Sequence, residues 1–287
     1  MKQKLLNTAP VIISCALTGG GADTKAGKTD FRPITPDEIA ADVVRCGKAG
    51  AAICHIHPRD YETGKGTCVP ERVQVVYDTI QAALKAENLD VIINMTSTGP
   101  GGDEMRLAMV DHIKPEIFSF DSGSFNTYGN RVFTNTTKLL QDLGDISIKY
   151  NIKPEIEIFN PSMVKNALRF VEEGHLAAPL HFQFVMGHWG NMDGTARNLA
   201  FLLEEIPEGS TWSVTGIGTA SLPMILTGLG MGADGIRVGL EDNLYMSRGV
   251  PATNLQQVER AVAIAKMAGR EPATAAQARE ILKLKAR

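Results

Sequence analysis

Residues 35–60, TPDEIAADVVRCGKAGAAICHIHPRD, contain one complete helix-and-strand unit, and the rest of the chain repeats its pattern. Thr35 can cap a helix, a proline suits the first helical position, and Glu38 completes a capping box. The helix is therefore predicted to run to about Ala49 and to stop at the glycine that follows. The next apolar run, Ala52–His57, is continuous, as is typical of a strand buried on both faces of a parallel sheet.

The same alternation continues along the chain. Short apolar runs are the strand candidates: Val11–Leu17, Ala52–His57, Val91–Met95, Ile117–Asp121, Pro154–Ile158, Leu180–Met186, Trp212–Ile217 and Gly235–Val238. Amphipathic stretches after them are the helix candidates: Glu71–Lys85, Gly102–Asp111, Thr134–Ile148, Pro161–Glu173, Gly194–Glu204, Ala220–Gly230 and Asn254–Ala268, with Thr274–Lys285 as an extra helix. Alternating strands and helices in these numbers predict a (β/α)8 TIM barrel with an extra C-terminal helix, formed as one domain by residues 1–287. A doubly wound parallel sheet is the alternative.

Composition restricts the possible partners. Hydrophobic residues make up 44% of the 287 residues and charged residues 21%, which excludes a disordered, collagen-like or coiled-coil chain. With 29 Lys and Arg against 32 Asp and Glu, the net charge is −3, so no basic field is available for nucleic acid. No segment approaches ~18 uninterrupted apolar residues, so no membrane span is expected. Partners should be small molecules or further copies of the chain.

The cysteines indicate a compartment. Cys15, Cys46, Cys54 and Cys68 show no CxxC spacing and no dense framework. In a chain of this length such cysteines are typical of reduced thiols in a cytoplasmic protein. The apolar run near the N-terminus is interrupted by polar residues, so it is interpreted as the first strand and not as a signal peptide.

The strongest chemical signal is His-x-His at the end of the second predicted strand. Side chains alternate along a strand, so His55 and His57 point to the same face. Active sites of barrels lie at the C-terminal ends of the strands. Two imidazoles at this spacing can bind one metal ion, for which zinc, iron, cobalt and nickel are all suited. The alternative is one core histidine and one hydrogen-bonded cap.

A second signal follows the eighth predicted strand, where Glu241 and Asp242 come shortly after Arg237. Closure of a barrel brings this strand close to the second, so Glu241 can complete a His₂Glu metal set with an open position. Asp242 can act as a base that Arg237 orients or keeps ionised. The alternative is that the two acids simply open the next helix, where they favour the N-terminal dipole.

Weaker signals lie at other strand ends. Thr96, Ser97 and Thr98 precede glycines and a helix, a combination that can form a carboxylate or phosphate cradle. Ser122 lies in a similar segment that could equally be an ordinary turn. Trp189 could stack on a ligand or simply pack. Glu157 is a candidate inward carboxylate, or equally a buried acid with a partner. Two further candidate regions are the glycine-rich stretch at 215–218 and the long loop at 19–33.

Taken together, several motifs resemble the β-keto acid cleavage enzymes, of which the 3-keto-5-aminohexanoate cleavage enzyme is the named type. They are CALTGGGADT (15–24), PITPDEIAADV (33–43), HIHPRD (55–60), FVMG (184–187) and GIRVGLEDN (235–243), with STG and DSGS after the third and fourth strands. The resemblance runs from about Val11 to Gly269. The combination of HxHxRD with RVGLED is its most specific part.

The resemblance implies a (β/α)8 barrel, usually a homotetramer, that holds zinc or another divalent metal through two histidines and a glutamate. By motif these are His55, His57 and Glu241. It also implies that a β-keto acid and acetyl-CoA, as co-substrate, give acetoacetate and a new acyl-CoA. Arg237 and Asp242 match the arginine–aspartate pair that assists deprotonation. Among the hydroxyls, Ser97 matches best on the third strand, with Thr96 as the alternative, and Ser122 matches on the fourth.

One departure concerns the substrate. The amino-substrate type carries a glutamate after the first strand that holds the ammonium group, and here only Asp23 could serve. The TGGGADT segment is more similar to members that act on dehydrocarnitine, whose quaternary ammonium favours aromatic faces such as Trp189. The competing hypotheses are a metal-dependent barrel aldolase or hydrolase that does not use coenzyme A, and a non-catalytic metabolite-binding barrel.

Overall fold

Parallel strands close into a barrel in the computed structural model of the chain, which describes residues 8–20, 31–128 and 131–284. The barrel strands are β1 (Ile12–Ala16), β2 (Ile53–Ile56), β3 (Ile92–Met95), β4 (Ile117–Asp121), β5 (Lys153–Ile158), β6 (His181–Met186), β7 (Thr211–Gly216) and β8 (Gly235–Val238). Each strand pairs with the next in sequence, and β8 pairs with β1. This closure confirms the predicted (β/α)8 barrel, because a doubly wound sheet would keep two free edges.

Helices alternate with the strands as predicted. They are α1 (Pro36–Ala49), α2 (Pro70–Ala86), α3 (Gly102–Ile113), α4 (Thr137–Tyr150), α5 (Pro161–Glu172), α6 (Ala196–Glu205), α7 (Ser221–Gly230), α8 (Asn254–Met267) and α9 (Ala275–Leu282). The predicted capping box is formed at α1, where Thr35 and Glu38 satisfy each other's backbone N–H groups. Within the described ranges, no helix combines the length and the apolar character needed to cross a bilayer.

The extra helix α9 closes the N-terminal end of the barrel. The inward side chains at the starts of the strands are apolar, and they pack against one face of α9. This cluster contains Ile12, Ile53, Ile92, Ile117, Ala275, Ala278 and Leu282. Arg279 on the opposite side of α9 binds the carboxylates of Asp90 and Glu116 at 2.6–2.9 Å, in the loops before β3 and β4. The helix is therefore held by an apolar face and by an ion-pair network.

Two short hairpins were not predicted. Phe125–Thr127 pairs with Arg131–Phe133 in the loop after β4, and Tyr245–Ser247 pairs with Val250–Pro251 in the loop after β8. Strands of two or three residues are too short to show a periodic pattern, so the sequence gives no sign of them. Both hairpins lie at the C-terminal face of the barrel, where the candidate site residues also lie.

Candidate active site

The barrel brings together the three predicted metal ligands. His55 is the third residue of β2, His57 follows two residues later on the same face, and Glu241 follows β8. The His55 Nε2 atom lies 3.7 Å from Glu241 Oε2, and the His57 Nε2 atom lies 3.4 Å from Glu241 Oε1. One ligand atom from each residue falls within 4.8 Å of the other two. The spacing is that of a cluster able to surround a single ion.

The protonation and hydrogen bonding of these three side chains suit the binding of a divalent metal ion. The Glu241 Oε2 atom is buried without a hydrogen-bond partner among the described residues, and such an atom costs free energy unless a cation or donor satisfies it. Burial raises the pKa of Glu241, but the neighbouring His57 and Arg237 outweigh it and hold that pKa well below its usual value. Burial lowers the pKa of His55 to about 4, so its imidazole is neutral at pH 7, as a metal ligand must be. Two histidines and a glutamate form a known catalytic zinc set.

Arg237 connects the metal cluster to the other acids of the site. Its side chain is buried and donates to Glu157 at 2.6 Å, to Glu241 at 2.7 Å and to both oxygens of Asp242 at 3.0 and 3.1 Å. Burial lowers the pKa of Arg237, but the three carboxylates raise it well above its usual value. Arg237 therefore remains charged, and it fixes the relative positions of three acids.

Asp242 has the environment of a proton acceptor. Thr215 Oγ1 donates to its Oδ2 at 2.9 Å, beside the bonds from Arg237. Burial raises the pKa of Asp242 to about 6, although Arg237 acts in the opposite direction. A base with a pKa close to the working pH transfers protons efficiently in both directions.

A single glycine shapes the turn that carries both acids. Gly239, directly after β8, has φ +136°, and a Cβ there would lie 2.0 Å from the backbone oxygen of Ala16 on β1. Only glycine combines this backbone conformation with so close an approach. The turn returns Glu241 and Asp242 over the mouth of the barrel, where both reach Arg237.

The four predicted hydroxyls have different surroundings. Ser97 Oγ donates to the backbone oxygen of Ser119 at 2.5 Å, and Ser122 Oγ donates to a backbone oxygen in α5 at 2.9 Å. These bonds use the hydroxyl hydrogens that a bound carboxylate would need. The Thr96 and Thr98 hydroxyls lie 2.8 Å apart, an arrangement in which one of the two hydrogens is available to a ligand.

Trp189 lies on an aromatic surface beside the mouth. It stacks on Tyr128 with ring centres 6.3 Å apart, and 52% of its area is exposed. The neighbouring His188 packs edge-on against Phe125 and Phe159. The loops after β4, β5 and β6 therefore meet in one aromatic cluster. Asp23, the other residue predicted to contact the distal group, lies outside the described residues.

Two residues of the charged network were not among the predicted site residues. Asp121, at the end of β4, is the register partner of Glu157 on β5. Burial and the neighbouring negative charge of Glu157 raise the pKa of Asp121 well above its usual value. Thr215, which holds Asp242, ends up in the network because β7 lies beside β8. Two sequence signals indicated Asp121 without giving it a role: its inward position on a strand and its place at the start of the DSGS segment.

Comparisons with known proteins point to one family. Residues 10–284 match the family model of the beta-keto acid cleavage enzymes. The chain is 37% identical to the 3-keto-5-aminohexanoate cleavage enzyme of Fusobacterium nucleatum subsp. nucleatum, with 99% of this chain and 100% of that protein covered. It is 33% identical to the 3-dehydrocarnitine:acetyl-CoA trimethylamine transferase of Rhizobium meliloti, with 96% of each covered.

Among solved structures, the apo structure of ObcA superposes with a TM-score of 0.75 at 21% identity. The superposition covers 90% of this chain and 66% of that one, and at this identity it supports the fold alone. The family model and the curated relatives cover almost the whole of the present chain. The chain therefore belongs to the β-keto acid cleavage enzyme family.

Proposed function

We propose that this protein transfers an acyl group between a β-keto acid and acetyl-CoA, giving acetoacetate and a new acyl-CoA. The observation that carries the proposal is the His55, His57 and Glu241 cluster beside the Arg237–Asp242 pair, in a chain of this family. Of the two relatives described above, one is named for the cleavage of a keto compound, 3-keto-5-aminohexanoate, and the other names acetyl-CoA.

Asp242 begins the reaction. The hydrogens on C2 of a β-keto acid are acidic because the resulting carbanion is delocalised onto the 3-keto oxygen. Asp242 accepts one of them, and its pKa of about 6 suits this transfer near neutral pH. Arg237 and Thr215 hold the carboxylate in place through their hydrogen bonds. A zinc ion bound by His55, His57 and Glu241 would act as a Lewis acid toward the keto oxygen.

The later steps need no reagent besides the keto acid and acetyl-CoA. The C2 carbanion attacks the acetyl carbonyl of acetyl-CoA and releases the coenzyme as a thiolate. That thiolate then attacks the original 3-keto carbon, and the C2–C3 bond breaks. The products are the new acyl-CoA and the acetoacetate carbanion, to which Asp242 returns the proton. The positive charge of Arg237 stabilises the oxyanions that develop beside it.

The substrate carboxylate is assigned to the segment after β3. Thr96, Ser97 and Thr98 precede α3, whose N-terminal N–H groups are not capped by a side chain. Ser122 is the candidate from β4. The free hydroxyl hydrogen of the Thr96–Thr98 pair supports a larger part for these two residues than for Ser97 or Ser122.

The distal group of the substrate is assigned to Trp189 and Asp23. A cation over an exposed aromatic face gains electrostatic attraction, so the stacked rings of Trp189 and Tyr128 suit a trimethylammonio group. This supports dehydrocarnitine, or a related cationic 3-oxo acid, as the substrate.

We also propose zinc as the resident ion, the cytoplasm as the compartment, one barrel domain over residues 1–287, and a homotetrameric assembly. The four cysteines are free thiols, as is typical of the cytoplasm. Phe201 on α6 and Leu222 and Leu226 on α7 are exposed apolar side chains that a subunit contact would cover. Sedimentation analysis of the purified chain tests the assembly.

Mass spectrometry tests the reaction. The metal-loaded protein is incubated with acetyl-CoA and a panel of neutral, amino- and trimethylammonio-β-keto acids. We expect acetoacetate together with an acyl-CoA whose mass identifies the substrate. Consumption of keto acid in the absence of acetyl-CoA would instead support the aldolase or hydrolase hypothesis. If no keto acid of the panel gives acetoacetate, the proposed reaction is contradicted.

A further inference from the structure

Two buried polar atoms in the barrel interior are complementary and unused. The Nδ1 atom of His55 and the Oδ1 atom of Asn94 are both buried without a hydrogen-bond partner among the described residues. One can donate and the other can only accept. From this pair we propose that Asn94 is a positioning residue for His55. Its carbonyl oxygen accepts the Nδ1–H of the histidine, directly or through one water, and directs Nε2 at the metal.

The strand register supports this pairing. His55 on β2 and Asn94 on β3 are register partners on adjacent parallel strands, which lie about 4.8 Å apart. Both side chains point inward, since His55 faces Glu241 and Asn94 reaches across the barrel to Glu155 on β5. On the other side of β2, the register partner of His55 is Ala16, which has no polar side-chain atom. Asn94 is therefore the polar neighbour of His55 in this layer.

Glu155 determines which way the Asn94 amide points. Asn94 Nδ2 donates to Glu155 Oε1 at 2.6 Å, and both residues are at most 1% exposed. Above pH 7 Glu155 is ionised, since burial raises its pKa only to about 7, and the carboxylate then accepts from the amide nitrogen and cannot use the amide oxygen. The bond therefore fixes the nitrogen toward Glu155 and leaves Oδ1 on the opposite side of the amide, available to His55.

Glu155 lies beside a hydrogen-bonded layer of the barrel interior. Ser213 Oγ donates to Gln183, so it accepts from His181 Nε2 at 3.2 Å. His181 Nδ1 can then accept from Thr211 Oγ1 at 2.9 Å, which fixes the neutral form of His181. His181 Nε2 lies 3.8 Å from Glu155 Oε2, so this layer also limits where the carboxylate can move.

The consequence is a chain of contacts from Glu155 through Asn94 to His55. A neutral imidazole that binds a metal through Nε2 carries its hydrogen on Nδ1, and an acceptor for that hydrogen fixes both the tautomer and the ring orientation. Loss of such an acceptor typically costs about 10–100-fold in metal affinity. The inference rests on the metal site of the proposed function.

The test measures zinc affinity at pH 8, where Glu155 is ionised, by competition with a chelator and with no keto acid or acetyl-CoA present. We expect Asn94→Leu and Glu155→Leu each to weaken zinc binding by about 10–100-fold. Glu155→Gln should stay close to the wild type, because a glutamine oxygen can still accept from Asn94. Ser14→Ala is the control, since it also removes a buried polar atom that has no hydrogen-bond partner among the described residues.

Unchanged affinity in Asn94→Leu would overturn the inference, as would an equal loss in Ser14→Ala, which would indicate general loosening of the interior. If the leucine variants do not fold, ¹⁵N NMR of the zinc-loaded wild type decides the question. A hydrogen on Nδ1 of His55 supports the proposal, and a hydrogen on Nε2 overturns it. Absence of zinc binding by the wild type would instead contradict the metal site itself, independently of Asn94.

Discussion

The two ends of the barrel are built from the same strands but have opposite chemistry. At the N-terminal end, isoleucines from four strands meet the apolar face of α9. At the C-terminal end, beyond an interior polar layer, the strands of the barrel lead to two histidines, Arg237 and a group of carboxylates in mutual contact. An apolar cluster is stabilised by burial, whereas buried acids are costly unless they are paired or bind a cation.

This contrast suggests a division of labour between the ends. The N-terminal end, with α9 in place, stabilises the barrel. That stability offsets the cost of burying charged side chains at the C-terminal end, where the carboxylates repel one another and lose hydration. Substitutions at the N-terminal end should therefore change the free energy of unfolding and leave chemistry intact. Substitutions at the C-terminal end should do the reverse.

The largest effect is expected at Asp242. Asp242→Asn removes the proton acceptor but preserves the shape of the side chain, so kcat should fall by about 10²–10⁴-fold. Zinc content, measured by elemental analysis, should remain that of the wild type, because the three ligands are untouched. Steady-state assays of acetoacetate formation give kcat.

His55→Ala is the contrasting variant, and it should lose zinc and activity together because it removes a ligand. Normal turnover in Asp242→Asn would show that another group accepts the proton. Reduced zinc content in that variant would show that Asp242 acts through the metal ligands.

At the opposite end, Leu282→Ala should affect stability alone. Leu282 is 1% exposed in the α9 cluster, and truncation of such a side chain costs about 2–5 kcal/mol in the free energy of unfolding. Urea denaturation measures the change, and the kcat/KM of the folded enzyme should stay within about twofold of the wild type.

Met267→Ala, on the exposed surface of α8, is the control and should alter neither quantity. Loss of activity in Leu282→Ala at temperatures where the protein remains folded would contradict the division between the two ends.

The buried layer between the ends should make stability depend on pH. Burial raises the pKa of Glu155 from 4.5 to about 7, so the folded protein holds a proton there that the unfolded chain releases above pH 4.5. The contribution of this proton to the free energy of unfolding is complete below pH 4.5 and is lost as the pH rises toward 7. Glu155→Gln lacks this titrating group. The difference in the free energy of unfolding between the wild type and this variant should therefore change by up to about 3 kcal/mol across this pH range.

Denaturation of the metal-free proteins from pH 4.5 to 8 measures this difference. His181 has its pKa lowered to about 3 by burial, which makes stability rise with pH, but the effect is present in both proteins and cancels in the comparison. Parallel pH profiles for the two proteins would contradict a buried, titrating Glu155.

The sequence predicted the barrel well because each element carries its own local signal. Capping residues such as Thr35 mark helix starts, and continuous apolar runs mark strands buried on both faces. The metal cluster was predictable for a related reason. Alternation along β2 fixes the face that His55 and His57 share, and barrel closure brings Glu241 to them. The resemblance to a known family supplied the roles, and those roles remain proposals.

What the sequence could not predict depends on contacts across the barrel. Asn94 meets Glu155 from a strand that is not its neighbour, and this requires the stagger of the strands, which no local pattern encodes. The hydroxyls of Ser97 and Ser122 look equivalent to those of Thr96 and Thr98 in sequence. Turn geometry alone directs the two serine hydroxyls onto backbone oxygens.

The smallest expected effect concerns the aromatic surface at the mouth. Trp189→Leu keeps an apolar side chain but removes the aromatic face, and a cation at an exposed site gains about 0.5–1 kcal/mol from such a face. The KM for a trimethylammonio-β-keto acid should therefore rise by about two- to fivefold, while the KM for a neutral β-keto acid of similar length stays the same. Met267→Leu, at the exposed end of α8, is the control and should change neither value. An equal rise in KM for both substrates would show that Trp189 acts only through packing. Equal KM values of the wild type for the two substrates would contradict the proposal of a cationic substrate.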